Sequence, residues 1–193
     1  MVFSSPIFLF IFLPATLLLY FLAGKAVRNL LLLVISLVFY AWGEELYVLI
    51  LLASIALNYL FGLGIDFAIG KQRLWWLWGG VVGNLLLLGY FKYTGFILQN
   101  MGVENAAALT PVLPIGISFF TFQALSYLID LYYRRVQVQK NPLNLALYIS
   151  LFPQLIAGPI VRYSEVEKEI IDRTITRSDV AEGVQQFVRG LAK

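Results

Sequence analysis

Gln123, Ser126, Tyr127, Asp130 and Arg134 recur at i, i+3, i+4, i+7 and i+11 within an otherwise apolar stretch. That spacing puts all five on one helical face. Polar groups inside an apolar run of this kind are costly and are commonly functional. Two readings fit. The stripe could line a polar channel, or Asp130 and Arg134 could pair at i,i+4 at a membrane edge while Gln123 bonds to a neighbouring helix. Gln154 and Arg162 flank Gly158-Pro159. Unwound backbone there would expose N–H and C=O groups able to hold a polar ligand, although a purely structural kink explains Pro and Gly equally well. Gln123, Tyr127, Asp130, Gln154 and Arg162 are thus the substrate-channel candidates. Asn58 and Asn84 lie within other apolar runs and are expected to hydrogen-bond between helices. Asp66, at the end of a run, is expected to be solvated.

Other chemistry is excluded by residue type. The sequence contains no Cys and no His. Thiolate chemistry and the commonest general base and metal ligand are therefore missing, and no metal site is expected. Neither a G-x-x-x-x-G-K-[ST] phosphate loop nor a G-x-S-x-G elbow occurs. The Lys and Arg residues are scattered between apolar runs rather than gathered in one stripe, so no nucleic-acid footprint is present.

The elements that must position these residues are transmembrane helices. Of 193 residues, 60% are hydrophobic and 13% charged, against about 45–50% and about 25% in soluble domains. The expected fold is all-α: a polytopic transmembrane helix bundle with a broken or re-entrant helix and C-terminal amphipathic helices. Spans of 17 or more apolar residues suffice for a membrane crossing. The candidates are Pro6–Leu22, with Pro14 expected to kink it, Val27–Trp42, which is short, Leu46–Ile65, Leu74–Tyr90, Pro114–Leu131 and Leu143–Ile160. Trp75, Trp76 and Trp78 resemble an interfacial belt. Met1 to Phe10 carry no Lys or Arg, so the first run reads as a retained helix rather than a cleaved signal.

Orientation follows from loop Lys and Arg. Lys25 and Arg28, Lys71 and Arg73, and Arg134, Arg135 and Lys140 follow runs one, three and five, whereas the alternate loops hold Glu44, Glu45, Glu104 and Lys92. The basic loops are expected to be cytoplasmic and the N-terminus outside, in a multi-pass protein of the cell inner (plasma) membrane. The charged tail after run six also favours the cytoplasm. Pro153 and Gly158-Pro159 would reconcile the two by breaking the run between Pro153 and Pro159 into a re-entrant segment.

Residues 1–163 read as the transmembrane part and 164–193 as amphipathic, interfacial helices. Ser164 with Glu167 and Thr176 with Asp179 have capping-box spacing. Val180, Val184, Phe187, Val188 and Leu191 share one helical face. The pattern is still running at Lys193, which reads as a truncated end. No internal repeat is apparent.

Several segments resemble the alginate O-acetyltransferase branch of the membrane-bound O-acyltransferase superfamily. They are the opening through Leu13-Pro14, Phe39-Tyr40-Ala41-Trp42-Gly43, Lys92-Tyr93-Thr94, the stretch Leu113 to Asp130 (LPIGISFFTFQALSYLID) and Leu151 to Tyr163 (LFPQLIAGPIVRY). The resemblance implies a ring of helices around a thin, tunnelled centre. It implies an enzyme passing acetyl groups from a cytoplasmic thioester, acetyl-CoA or another acyl thioester, to hydroxyls of an exopolysaccharide such as alginate, or of peptidoglycan. A periplasmic acetyltransferase partner usually completes the transfer in that branch. The family's catalytic His lies in the second half of a chain more than twice this long. No catalytic residue can be carried over, and the chain is expected to be inactive alone. A non-enzymatic membrane scaffold and a small transporter or channel are the alternative readings.

Overall fold

The computed structural model describes residues 5–155, 158 and 160–191. Among them every regular element is helical. The first apolar run opens with a π turn, Phe8–Phe12, that passes directly into α1, Leu13–Leu22. Pro14 lacks a backbone donor and its ring crowds the carbonyl four residues earlier. The wider π turn immediately upstream gives that ring room.

Three long helices follow: α2 (Arg28–Glu44), α3 (Val48–Phe67) and α4 (Gln72–Asn100). Helix α4 continues past the expected end at Tyr90. Nothing between Tyr90 and Asn100 breaks a helix, and termination comes with Gly102 at φ +70°, the left-handed residue that commonly closes helices. The stretches Lys25–Phe67 and Gln72–Asn100 are long and apolar enough to cross a membrane, while Phe8–Leu22 is a shorter apolar helix. Their outward faces carry Phe10, Phe21, Leu22, Trp75, Trp78 and Leu86, all exposed. So much outward apolar surface suits a hydrocarbon solvent.

The short α5 (Ala106–Leu109) leads to α6 (Ile117–Tyr132), the most enclosed helix, which packs on α3 and α4. It is followed by α7 (Pro142–Ser150), α8 (Phe152–Leu155), α9 (Tyr163–Ile171) and α10 (Arg177–Leu191). Helix α7 lies against α2.

Buried amides lock α3 to α4. Asn58 donates to Asn84 Oδ1 at 3.0 Å and Asn84 donates to Asn58 Oδ1 at 2.8 Å. Each amide also donates to the carbonyl four residues back, Ser54 and Gly80. Every amide proton of the pair is used, as the sequence position of these residues leads one to expect. Each such interhelical bond in a bilayer contributes on the order of 1 kcal/mol.

Side-chain bonds fix which termini share an end of the bundle. Arg73 Nη2 donates to the carbonyls of Leu131 and Tyr132, Tyr59 Oη donates to the Lys140 carbonyl, and Asn29 Nδ2 donates to Asn144 Oδ1. The starts of α2, α4 and α7 and the ends of α3 and α6 therefore lie together, with Arg28, Arg73, Arg134 and Lys140. At the other end, Tyr40 Oη donates to the Ile115 carbonyl. That joins the end of α2, with Glu44, to the start of α6.

Helix α6 closes with a double bond pattern, Arg135 N–H to Asp130 C=O and Arg134 N–H to Leu131 C=O. This is a Schellman motif with Arg134, at φ +57°, in the place that glycine usually takes. A non-glycine residue there costs about 1–2 kcal/mol.

The sixth run breaks earlier than its prolines suggest. Helix α7 ends at Ser150, Leu151 has ψ 115°, and Pro153 is the second residue of α8. A proline at a helix start has no donor to lose there, so Pro153 opens a helix instead of breaking one. The remainder of the expected break, at Ile156, Ala157 and Pro159, lies outside the described residues.

The tail forms two helices. Thr176 and Asp179 make a reciprocal capping box, with Thr176 N–H on Asp179 Oδ2 at 2.8 Å and Asp179 N–H on Thr176 Oγ1 at 3.3 Å. Ser164 caps nothing. Helix α9 starts one residue before it and has no side-chain cap, because Tyr163 is drawn into the core. Helix α9 packs on α6 and α7 through buried Tyr163 and Ile170, whereas Val184, Phe187 and Leu191 of α10 are exposed.

Candidate functional site

The polar stripe of α6 is buried. Gln123, Tyr127 and Asp130 are 2%, 0% and 4% exposed. Helices α3, α7 and α9 cover it.

The helix break at Leu151 separates two backbone groups that a continuous helix would pair, the Tyr148 carbonyl and the Phe152 N–H. Side chains take both. Gln123 Nε2 donates to the Tyr148 carbonyl at 2.6 Å, and Phe152 N–H donates to Ser36 Oγ at 3.2 Å. Ser36 donates in turn to the Leu32 carbonyl at 2.7 Å. Buried backbone groups freed by a break require such partners. Gln123 also donates to Gln154 Oε1 at 3.2 Å, which connects the stripe to the segment after the break.

Around this pair lies a nest of tyrosines. The Tyr163 ring meets Tyr127 and Tyr148 edge-on, each at 5.1 Å between centroids. Tyr127 Oη accepts the Gln139 N–H at 3.0 Å, and Gln139 Nε2 donates to Tyr163 Oη at 2.9 Å. Tyr148 Oη donates to the Val161 carbonyl at 2.9 Å, and Ser126 Oγ donates to the Gln123 carbonyl at 2.8 Å. Gly62 of α3 lets the Tyr127 ring approach. A Cβ there would sit 3.1 Å from Tyr127 Cε1.

The α6 stretch and the segment after the break meet at Gly116. Its φ is +78°, and a Cβ on it would lie 2.5 Å from the Leu155 carbonyl oxygen. The LPIGIS and LFPQL segments therefore pack backbone to backbone.

Asp130 does not pair with Arg134. Its Oδ1 meets Arg135 Nη1 at 3.3 Å, the one ion pair among the described residues, and its Oδ2 is buried without a hydrogen-bond partner. The left-handed turn at Arg134 sends that side chain elsewhere and returns Arg135 over the last turn of the helix. Arg162 precedes α9 and is exposed, apart from the nest. Of the five candidates, Gln123, Tyr127 and Gln154 are joined in or beside one buried network. Asp130 lies one helical turn further along the same face, and Arg162 is outside.

Ser36, Gln139, Tyr148 and Tyr163 escaped the sequence reading. Ser36 carried a usable signal, a lone hydroxyl within LLLLVISLVFY. The other three depend on contacts distant in sequence.

Beside the break, a cavity of about 320 Å³ is lined by Leu147, Tyr148, Leu151, Gln154, Val166 and Arg173, among others. Its walls are mostly apolar, with Gln154 near the break and Arg173 toward the basic end. Arg173 Nη1 donates to Tyr20 Oη at 3.1 Å, and the Arg28 guanidinium lies over the same ring. Asn29 Nδ2 bonds the Ile170 carbonyl at 2.8 Å as well as Asn144. One side chain thus touches both the start of α7 and the end of α9. No cluster of metal-ligating side chains occurs among the described residues.

No family model and no solved structure matches the chain. Curated proteins do. The chain is 42% identical over its whole length to the probable alginate O-acetylase AlgI of Pseudomonas aeruginosa, of which it covers 39%. It is 42% identical to the Azotobacter vinelandii protein of that name, covering 40% of it. It is 34% identical to the peptidoglycan O-acetyltransferase of Helicobacter pylori, covering 44% of that protein. All of the chain is aligned in each case, and it spans about two fifths of the length of the relatives it matches.

Proposed function

We propose, from a similarity that runs through all 193 residues, that these residues build part of a membrane O-acetyltransferase acting on an exopolysaccharide such as alginate, or on peptidoglycan. In this reading the chain is a multi-pass bundle of the inner membrane with its N-terminus outside. The clustering of Arg28, Arg73, Arg134 and Lys140 at one end supports a cytoplasmic location for that end.

The same reading makes α7, α8 and α9 parts of a re-entrant dip from the cytoplasmic side. Asn29 supports it by bonding both limbs of the dip, at Asn144 and Ile170. Phe152 supports it by lying level with Ser36, midway along α2. The cavity between α2, α7 and α9 is then the place for the acyl thioester donor, such as acetyl-CoA. Apolar walls suit a flexible chain, and Gln154 near the break offers an amide to a thioester carbonyl.

Transfer to a hydroxyl requires a base within hydrogen-bond reach. No imidazole exists among these residues, and we assign the base to a residue outside them. A periplasmic acetyltransferase partner completes delivery to the polymer.

The test is a chimaera in which residues 1–193 replace the matching region of the Pseudomonas aeruginosa relative, in a strain lacking that relative. Polymer acetyl content, read by proton NMR, should return. A chimaera that inserts at normal abundance yet leaves the polymer without acetyl esters would refute the proposal.

A further inference from the structure

A second polar cavity lies apart from the break. It measures about 410 Å³ and is lined by Asp66, Arg73, Arg134, Gln137 and Lys140, with Leu131, Val136 and Val138. We infer that this cavity is a binding site for a phosphate group. Three cationic side chains face one carboxylate, and none of the four makes an ion pair among the described residues.

Two further observations point to a ligand. Arg73 spends Nη2 on the closing carbonyls of α6, which holds this cation in place at the cavity wall. Arg134 occupies the left-handed position of the helix stop, at φ +57°, where glycine would close the helix without strain. A side chain at that position costs stability, and this one lines the cavity. An arginine fork beside a lysine is the arrangement that suits phosphate oxygens.

The cavity lies at the start of α4, where Arg73 lines it, at the basic end of the bundle. A phosphate there could belong to an anionic phospholipid or to a soluble phosphate compound. The inference does not depend on the acetyl-transfer reading.

The test uses the purified chain in a zwitterionic detergent, with thermal unfolding and native mass spectrometry as readouts. The probes are dioleoylphosphatidylglycerol, dioleoylphosphatidylcholine and inorganic phosphate. Phosphatidylglycerol should raise Tm more than phosphatidylcholine does, and R134Q/K140Q should weaken its binding on the order of tenfold, the loss of two charge-assisted contacts. R134G separates ligand from scaffold. Glycine suits the turn, so Tm without ligand should hold or rise while binding falls. A shift with inorganic phosphate alone identifies a soluble phosphate compound as the source, and a shift only with the lipid identifies a headgroup. Equal shifts from both lipids with none from inorganic phosphate, no shift with any probe, or undiminished binding by R134G and R134Q/K140Q would each overturn the inference.

Discussion

The side-chain amide of Gln123 lies 2.6 Å from the Tyr148 carbonyl oxygen, an acceptor that loses its helical partner when α7 stops at Ser150. One polar residue on α6 therefore makes a helix break on α7 tolerable. Gln123→Met keeps the volume and removes the donor. The expected cost is about 1–3 kcal/mol, that of leaving a buried acceptor unpaired, seen as a lower Tm in nanodiscs. Ser36→Ala, which strips the Phe152 N–H, should cost a similar amount. A Gln123→Met protein as stable as the parent would show that the carbonyl finds water instead.

Gly116 should resist substitution. Gly116→Ala combines a positive φ with a clash against backbone, at the Leu155 carbonyl. A loss above about 2 kcal/mol is expected, from a left-handed cost of about 1–2 kcal/mol plus the displacement of α8. Gly24→Ala, where a Cβ meets nothing within 4 Å, is the control and should be neutral. Detergent-stable yield and Tm read both.

The amide pair on α3 and α4 should show coupling. Asn58→Leu or Asn84→Leu alone leaves the opposite amide half-satisfied, whereas the double variant removes both. A double-mutant cycle should give about 1 kcal/mol of coupling. Additive losses would mean that each amide is held by its own helix.

Helix α10 should respond to acid at its N-terminus. The Thr176 backbone N–H, and after it the Thr176 hydroxyl, hold the Asp179 carboxyl below its ordinary range. A depressed folded-state pKa stabilises the cap above the unfolded value and loses that contribution as pH falls through the folded one. A synthetic peptide of residues 172–193 on micelles should lose helix signal by circular dichroism below about pH 4. Asp179→Asn should flatten that response, and an unchanged titration would assign it to another carboxylate.

Asp130 offers a test of the acetyl-transfer reading. Its buried Oδ2 has no partner, so the group is poised to accept a hydrogen bond. In the active chimaera, Asp130→Asn should lower polymer acetylation more than membrane abundance. Equal loss of both would give Asp130 a folding role.

The sequence made the helices legible because apolar runs of sufficient length leave the backbone one option in lipid. It also disclosed Asn58 and Asn84, since an amide within such a run needs a partner, and the Thr176–Asp179 box, which is purely local. It misassigned the partner of Asp130, because i,i+4 spacing assumes that the helix continues through Arg134 and the chain instead turns left-handed there. It placed a break between Pro153 and Pro159, where Gly158 is indeed a bend, but missed the earlier stop at Ser150, because a proline's effect depends on whether it falls inside a helix or at the start of one. The tyrosine nest was invisible, since Tyr127, Gln139, Tyr148 and Tyr163 converge only when the chain folds back on α6.

Helix α4 has 29 residues and so a length of about 44 Å, while a bilayer's hydrocarbon layer is about 30 Å thick. Its apolar run, Leu74–Tyr90, is only about 26 Å long, so the excess carries the final turns, with Lys92 and Asn100, toward water, and a thinner bilayer is met by tilting. Tilting is not free for α4 alone, because the Asn58–Asn84 clasp binds it to α3 and Arg73 ties its first turn to the end of α6. Bilayer thickness thereby acts on the whole assembly. A thinner membrane that inclines α4 also inclines α6, and with it the residue that holds the broken helix in place.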